Sequence, residues 1–267
     1  MITFYTFAHK RPDFLQPQLD SFRKHVSGGF EFVVFNNAVF DVDRSDYHDI
    51  QALCAANAIR VIDIQHDSAL VDRLIYDNGE AVFDNDGLYR NAVIACAYPL
   101  CWAWEHVISR TNDMICIIDS DMFFIADENP SEALTTYDVI YVEHSRGPNG
   151  DVYYMWNGLV YMHLANIPEK ASIDWWCGKC EGQPVDVGGH TYYWLRRHKN
   201  QLNVKLIRQL HVGEDPECNF SPANYEYLAM NDVWSVLHFR GGSGWHLPGH
   251  DYTAKKTAWL KSKLNGS

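Results

Sequence analysis

The sequence predicts an α/β fold: a mixed, mostly parallel sheet flanked by helices, followed by a less regular α+β second half. Three observations point there. Strand-like and helix-like segments alternate through the first half, which implies βαβ units and parallel strands. Apolar residues make up 47% of the 267 residues and charged residues 21%, the balance of a packed globular chain rather than a disordered one. A chain this long also buries enough apolar surface to hold a core without a disulfide or a structural metal.

The elements follow in order. Ile2–Phe7 is short, apolar and aromatic, hence a strand. Arg11-Pro12-Asp13 opens a helix, because proline fits a first turn and Asp13 suits the positive end of the dipole. Phe14, Leu15, Leu19 and Phe22 continue it at helical spacing to His25. Phe30–Phe35 is a second strand ending at Asn36-Asn37, Ser45 caps a helix to Ala56, and Ile59–Ile64 is a third strand. Leu88–Ile108 reads as a long helical region, bent or broken at Pro99. Met114–Ile118 is a buried strand running into Asp119. In the second half, Asp138–Val142, Val152–His163, Val204–Arg208 and Ser235–Arg240 read as strands, with helices over Gly188–His198 and Tyr252–Leu264. No internal repeat or low-complexity linker divides the chain, so 1–267 is expected to be one domain.

Composition excludes several function classes. A formal net charge of −12 is the wrong sign for a generic nucleic-acid backbone binder. The most apolar run, Ala92–Trp104, is too short to span a bilayer and contains Pro99. The first residues carry no basic segment followed by a long apolar one, so no signal peptide is read and a cytoplasmic setting is expected. Seven cysteines, an odd number, fit reduced thiols. Cys177-Gly-Lys-Cys180 is a lone C-x-x-C without a second pair, so it reads as two free thiols rather than a zinc site.

The chemistry centres on Asp119-Ser120-Asp121. The sequence holds two other Asp-x-Asp triplets, Asp41–Asp43 and Asp84–Asp86, but only this one directly follows a strongly strand-like apolar run. Ligands of open parallel sheets bind beyond the carboxyl ends of strands. Two carboxylates placed there are costly unless solvated, paired or bound to a cation. Spaced two residues apart, Asp119 and Asp121 can share one Mn2+ or Mg2+, which also takes phosphate oxygens. Such an ion gives an acidic protein the local positive field it needs to handle a diphosphate. His238, after the apolar Ser235–Leu237, offers a neutral imidazole to a borderline metal. The following Gly241-Gly-Ser-Gly-Trp245 lets backbone approach phosphate and lets the segment move as a lid.

In this order the motifs resemble those of nucleotide-sugar-dependent glycosyltransferases of the GT-A (Rossmann-like) fold. Thr6-Phe-Ala-His-Lys-Arg11-Pro with Asn36 is similar to the opening nucleotide-binding segment, and the Asp-x-Asp strand follows. Met155-Trp-Asn157-Gly158, Pro184-Val-Asp186-Val-Gly and His238-x-x-Gly241 with Trp245 are similar to segments of the retaining family 8 enzymes. There are departures. Ser243-Gly244 stand where family 8 has Lys-Pro, its diphosphate lysine is missing unless Arg240, Lys255 or Lys256 substitutes, and Arg11-Pro12 is closer to the inverting family 2 pattern.

The resemblance implies a nucleotide-sugar-binding half, 1–125, and an acceptor-binding half with a C-terminal lid, 126–267. It implies Mn2+ or Mg2+ held by Asp119, Asp121 and His238. Thr6, Phe7, Ala8, Arg11, Asn36, Arg90, Ser120, Gly241 and Trp245 would contact a UDP- or GDP-sugar donor. Asn157 would orient sugar hydroxyls. Asp186 would either hold the donor sugar of a retaining enzyme or act as general base of an inverting one; its bland alternative is a helix cap. The partner would be a glycan or other hydroxyl acceptor, and Trp156, Trp175, Trp176 and Trp194 fall in the half expected to receive it. Two further readings remain open at this stage. A nucleotidyltransferase normally has a glycine-rich basic loop after the first strand, which Phe7–Pro12 lacks, and a catalytically silent carbohydrate-binding module would not need an intact Asp119, Asp121 and His238.

Overall fold

A computed structural model describes residues 1–9, 12–41, 44–78, 81–212, 225–239, 258–262 and 264. Arg11, Cys218, Arg240, Gly241, Trp245, Lys255 and Lys256 lie outside the described residues.

The chain runs β1 (Ile2–Ala8), α1 (Leu15–His25), β2 (Phe30–Asn36), α2 (Ser45–Ala56), β3 (Arg60–Asp63), α3 (Ser68–Asn78), α4 (Ala92–His106), β4 (Met114–Ile118) and β5 (Met122–Phe124). It continues through α5 (Pro130–Ala133), β6 (Val139–Arg146), β7 (Val152–His163), β8 (Gly178–Cys180), β9 (Gln183–Val185), α6 (Thr191–His198), β10 (Val204–Leu206), β11 (Arg208–Val212), β12 (Tyr225–Ala229) and β13 (Val236–Phe239).

Seven strands form the central sheet in the order β10-β6-β7-β4-β1-β2-β3. All its pairings are parallel except those that β7 makes with β4 and β6. Its middle strands are apolar on both faces, as helices on both sides demand. Phe4, Phe32 and Val34 pack toward α1 and α2, against Leu19, Phe22 and Ile50. Tyr5, Val33 and Phe35 pack toward α3, α4 and α6, against Leu74, Tyr98, Trp102 and Trp194. A second sheet, β11-β12-β13-β5, is antiparallel throughout.

Several expectations shift by a turn for local reasons. The first helix begins as a 3-10 turn at Pro12–Phe14 before α1. Ser45 is the first residue of α2 rather than its cap, a place taken by Arg44 without a side-chain bond. The long helical region shortens to α4 because Asn91 caps it, its Oδ1 accepting from Ile94 N at 2.9 Å. Pro99 does not break α4. Proline leaves the carbonyl four residues back without its helical donor, and Asn37 Nδ2 supplies one to Ala95 O at 2.7 Å. The segment expected as a strand over Val204–Arg208 divides between sheets: β10 ends at Leu206 and β11 starts at Arg208. Helices α3 and α5 and strands β5, β8, β9 and β12 were not among the expected elements.

Candidate metal and donor site

The short link between β4 and β5 joins the two sheets, and it is the Asp-x-Asp segment. Met122 N donates to Asp119 O at 3.1 Å, closing a turn over Asp119–Met122. Asp119 N donates to Gly158 O at 2.9 Å, and Phe239 N to Asp121 O at 2.9 Å. The turn is thus tied to β7 on one side and β13 on the other. Gln18 of α1, fully buried, donates from Nε2 to both Asp119 O at 2.8 Å and Met122 O at 3.0 Å. One buried amide therefore gives the Asp119 carbonyl a second donor and supplies one to the Met122 carbonyl.

His238 arrives from the far end of the chain because β13 pairs with β5, opposite Met122. One ligand atom each from Asp119, Asp121 and His238 lies within 4.8 Å of the others. His238 Nε2 is 3.4 Å from Asp121 Oδ1. Its Nδ1 is 2.5 Å from Oε1 of Glu226, a β12 carboxylate only 1% exposed.

Among the described residues the cluster carries more carboxylates than cations. Burial raises the Asp119 carboxyl, and the charge of Asp121 raises it further, to about 7; His238 opposes this, while Asp186 and Glu226 add to it. For His238, burial lowers the imidazole pKa, but the charge and hydrogen bond of Asp121 and the hydrogen bond of Glu226 overcome that and raise it to about 10. Several carboxylates around one imidazole hold that ring protonated. Two carboxylates and an imidazole fit a divalent ion such as Mn2+ or Mg2+ in ligand type and in closeness.

The other expected site residues are placed as follows. Ser120 is half-buried within the turn. Asn157, on β7, donates from Nδ2 to Asp119 Oδ1 at 3.3 Å. Asp186 follows β9, and its Oδ1 accepts from Val187 N at 2.8 Å. His190 stands at the N-cap of α6, so Asp186 is not that helix's cap. Gly188, at φ +85°, leaves no room for a Cβ against the Met155 carbonyl, which fixes the loop carrying Asp186 to β7. Helix α4 adds Cys96, which keeps exposed surface; its thiol is pushed up to about 12 by its protein surroundings and then by the charges of Asp119, Asp121 and Asp186.

At the carboxyl end of β1, Thr6 and Ala8 are buried, while Phe7 is half-buried and stacked on Phe35. Asn36 is buried, with Oδ1 accepting from Ala38 N and Nδ2 donating to Tyr47 O. Half-exposed polar groups at this end come from His9 and Asp41, paired at 3.0 Å, with Tyr89 edge-on to the His9 ring. Arg90 is exposed just ahead of the α4 cap. Trp156, Trp175, Trp176 and Trp194 are all buried. Asp84 Oδ1 accepts from Asp86 N and Leu88 N, which accounts for that triplet as a turn.

Sequence reasoning did not find Gln18, Glu226, His9 or Asp41. Gln18 lies inside an amphipathic helix and Glu226 inside a short alternating strand, and only the tertiary register gives either a role.

The sequence matches no family model, and no curated protein matches it. Solved structures do match. The galactosyltransferase LgtC, in complex with donor and acceptor sugar analogs, aligns over 100% of this chain and 96% of its own, with a TM-score of 0.50 at 11% identity. The chain has the GT-A glycosyltransferase fold. An active-site mutant of LgtC aligns over 98% of this chain and 95% of its own with the same score. The mannosyltransferase PcManGT from Pyrobaculum calidifontis, in complex with GDP-Man and Mn2+, overlaps in part: 61% of this chain, 13% identity and a TM-score of 0.37. This chain covers 44% of the length of PcManGT. Among the described residues, no helix is long and apolar enough to cross a membrane.

Proposed function

We propose that the protein is a metal-dependent glycosyltransferase that moves a sugar from a nucleotide-diphosphate donor to a glycan or other hydroxyl acceptor with retention at the anomeric carbon. One observation carries this reading: Asp119, Asp121 and His238, from distant parts of the sequence, converge within 4.8 Å at the carboxyl end of a central strand. The GT-A fold, shared with a galactosyltransferase over its whole length, supports it. The retaining assignment rests on the similarity of the Asn157, Asp186 and His238 segments to family 8.

In this reading Asp119, Asp121 and His238 hold Mn2+ or Mg2+. When bound, the ion supplies Lewis acidity to the donor diphosphate and offsets the charge of the leaving phosphate. The residues of the chain do the rest. Asn157 keeps Asp119 oriented through its 3.3 Å bond and turns toward sugar hydroxyls. Asp186, whose charge acts on Asp119, holds the donor sugar near the reacting carbon. The ends of β1 and β2, with Phe7 and the His9–Asp41 pair, receive the nucleoside. Thr6, Ala8, Arg11, Asn36, Arg90, Ser120, Gly241 and Trp245 complete the donor contacts of the proposal, through backbone where their side chains are buried.

The test is to offer UDP-, GDP- and dTDP-sugars with Mn2+, follow nucleotide release and transfer, and read the anomeric configuration of the product by NMR. Release that falls at least about a hundred-fold in Asp121→Ala, with a retained product, is expected. Release that survives Asp121→Ala would sink the metal role. An inverted product would reassign Asp186 as general base.

A further inference from the structure

Glu226 poses a problem that the donor reading does not solve. It sits on β12 directly opposite His238 on β13, almost wholly buried. A β-strand pair needs no carboxylate there, and burying one is costly compared with an aliphatic side chain. Its two oxygens have separate uses. Oε1 lies 2.5 Å from His238 Nδ1, and Oε2 accepts from Gln209 Nε2 of β11 at 2.8 Å. Gln209, Glu226 and His238 therefore form a line across three neighbouring strands, ending 3.4 Å from Asp121.

The ring is also held on its face. The Trp156 indole lies 5.3 Å from the His238 ring and is backed by His144, stacked on it at 5.1 Å and 11°. Gly158 has no room for a Cβ against that indole, so the ring lies directly on the glycine backbone. Two of the ring's degrees of freedom, its tilt and its flip, are thus constrained from different elements.

We propose that Glu226 is a positioning residue for the divalent cation. An ionised carboxylate only accepts, so once an ion displaces the second ring proton Glu226 keeps the remaining one on Nδ1 and leaves the Nε2 lone pair facing Asp119 and Asp121. A carboxylate behind a ligating histidine fixes the tautomer, orients the ring and raises its basicity. The inference rests on the metal reading above and adds to it a residue outside the ligand set.

The experiment measures Mn2+ affinity directly, from the electron paramagnetic resonance signal of free Mn2+, in the full chain and its variants. E226L is expected to bind Mn2+ about 10–100-fold more weakly. E226Q is expected to fall between E226L and the unchanged protein, because an amide oxygen still accepts from Nδ1. In an H238N background, E226L is expected to add nothing further. Quenching of Trp156 fluorescence by bound Mn2+, identified by its loss in W156F, gives a second readout without turnover. Unchanged affinity in E226L, or an equal loss with H238N already present, overturns the positioning role. If E226L does not fold by circular dichroism, E226Q decides, and unchanged affinity there overturns it. Absence of Mn2+ binding in the unchanged protein sinks the metal reading itself, and this inference with it; normal binding with an indifferent Glu226 sinks this inference alone.

Discussion

The two sheets treat their interiors in opposite ways. Strands β1, β2 and β4 of the seven-stranded sheet bury aliphatic and aromatic side chains, with threonine and asparagine as their buried polar groups. The four-stranded sheet buries a glutamate and a histidine side by side. Apolar burial holds a fold at about 25 cal/mol per Å2 removed from water, whereas a buried ion pair is weak evidence of stability. The difference teaches that the first sheet is built to stand and the second to hold charge, and the Asp119–Met122 turn is where the two purposes meet.

The largest effect that would sharpen this contrast is a core truncation. Phe22 of α1 stacks on Phe4 and meets Phe30, Phe32 and Phe124 edge-on. Phe22→Ala is expected to cost about 3–5 kcal/mol in urea unfolding, with Mn2+ affinity of the folded protein unchanged. An affinity loss matching the stability loss would break the division between the sheets.

Next is the ion itself. At a hundred times its Kd, Mn2+ is expected to add about 2.7 kcal/mol and raise the Tm by about 5–10 °C, reversed by EDTA. The pH dependence has a worked sign. The folded protein holds the His238 proton to about pH 10 and the Asp119 proton to about pH 7, both above their ordinary values of 6.5 and 3.8. Without an ion the native state binds more protons than the unfolded chain, so the site's contribution to stability falls as pH rises from about 4 through 10. An ion must displace those protons, so its affinity rises with pH, about tenfold per unit between pH 7 and 10 and more steeply below. A pH-independent Mn2+ shift in Tm would contradict the charge balance of the cluster.

The smallest effect comes from the seam. Gln18→Met keeps the shape of the side chain but takes from the Met122 carbonyl its Gln18 donor and leaves the Asp119 carbonyl with the turn bond from Met122 N alone. A loss of about 1–3 kcal/mol is expected, together with weaker Mn2+ binding. Lost stability with intact binding would mean the turn keeps its geometry without α1.

Much of this was legible in the sequence for a physical reason. Met114–Ile118 is apolar enough to be a strand between two covered faces, so the carboxylates after it had to mark a strand end. His238 was legible in the same way, at the end of Val236-Leu237. Helix α3 was not, because Asp72, Arg73 and Asp77 interrupt its apolar spacing. Glu226 was not, because alternation in Tyr225–Ala229 would send a glutamate to solvent, and nothing local reveals that this strand is covered on the side where Glu226 points. Thr6 and Asn36 were legible as strand ends, but their burial and the turn that engages Asn36 depend on contacts no local pattern encodes.

The pairing of β13 with β5 has a consequence for how the protein is made. The two aspartates emerge from the ribosome long before the histidine, and the three do not come together until that late strand has docked. If the three residues hold an ion as proposed, its loading is a late event of biogenesis, and a nascent chain stalled before β13 would lack the third ligand.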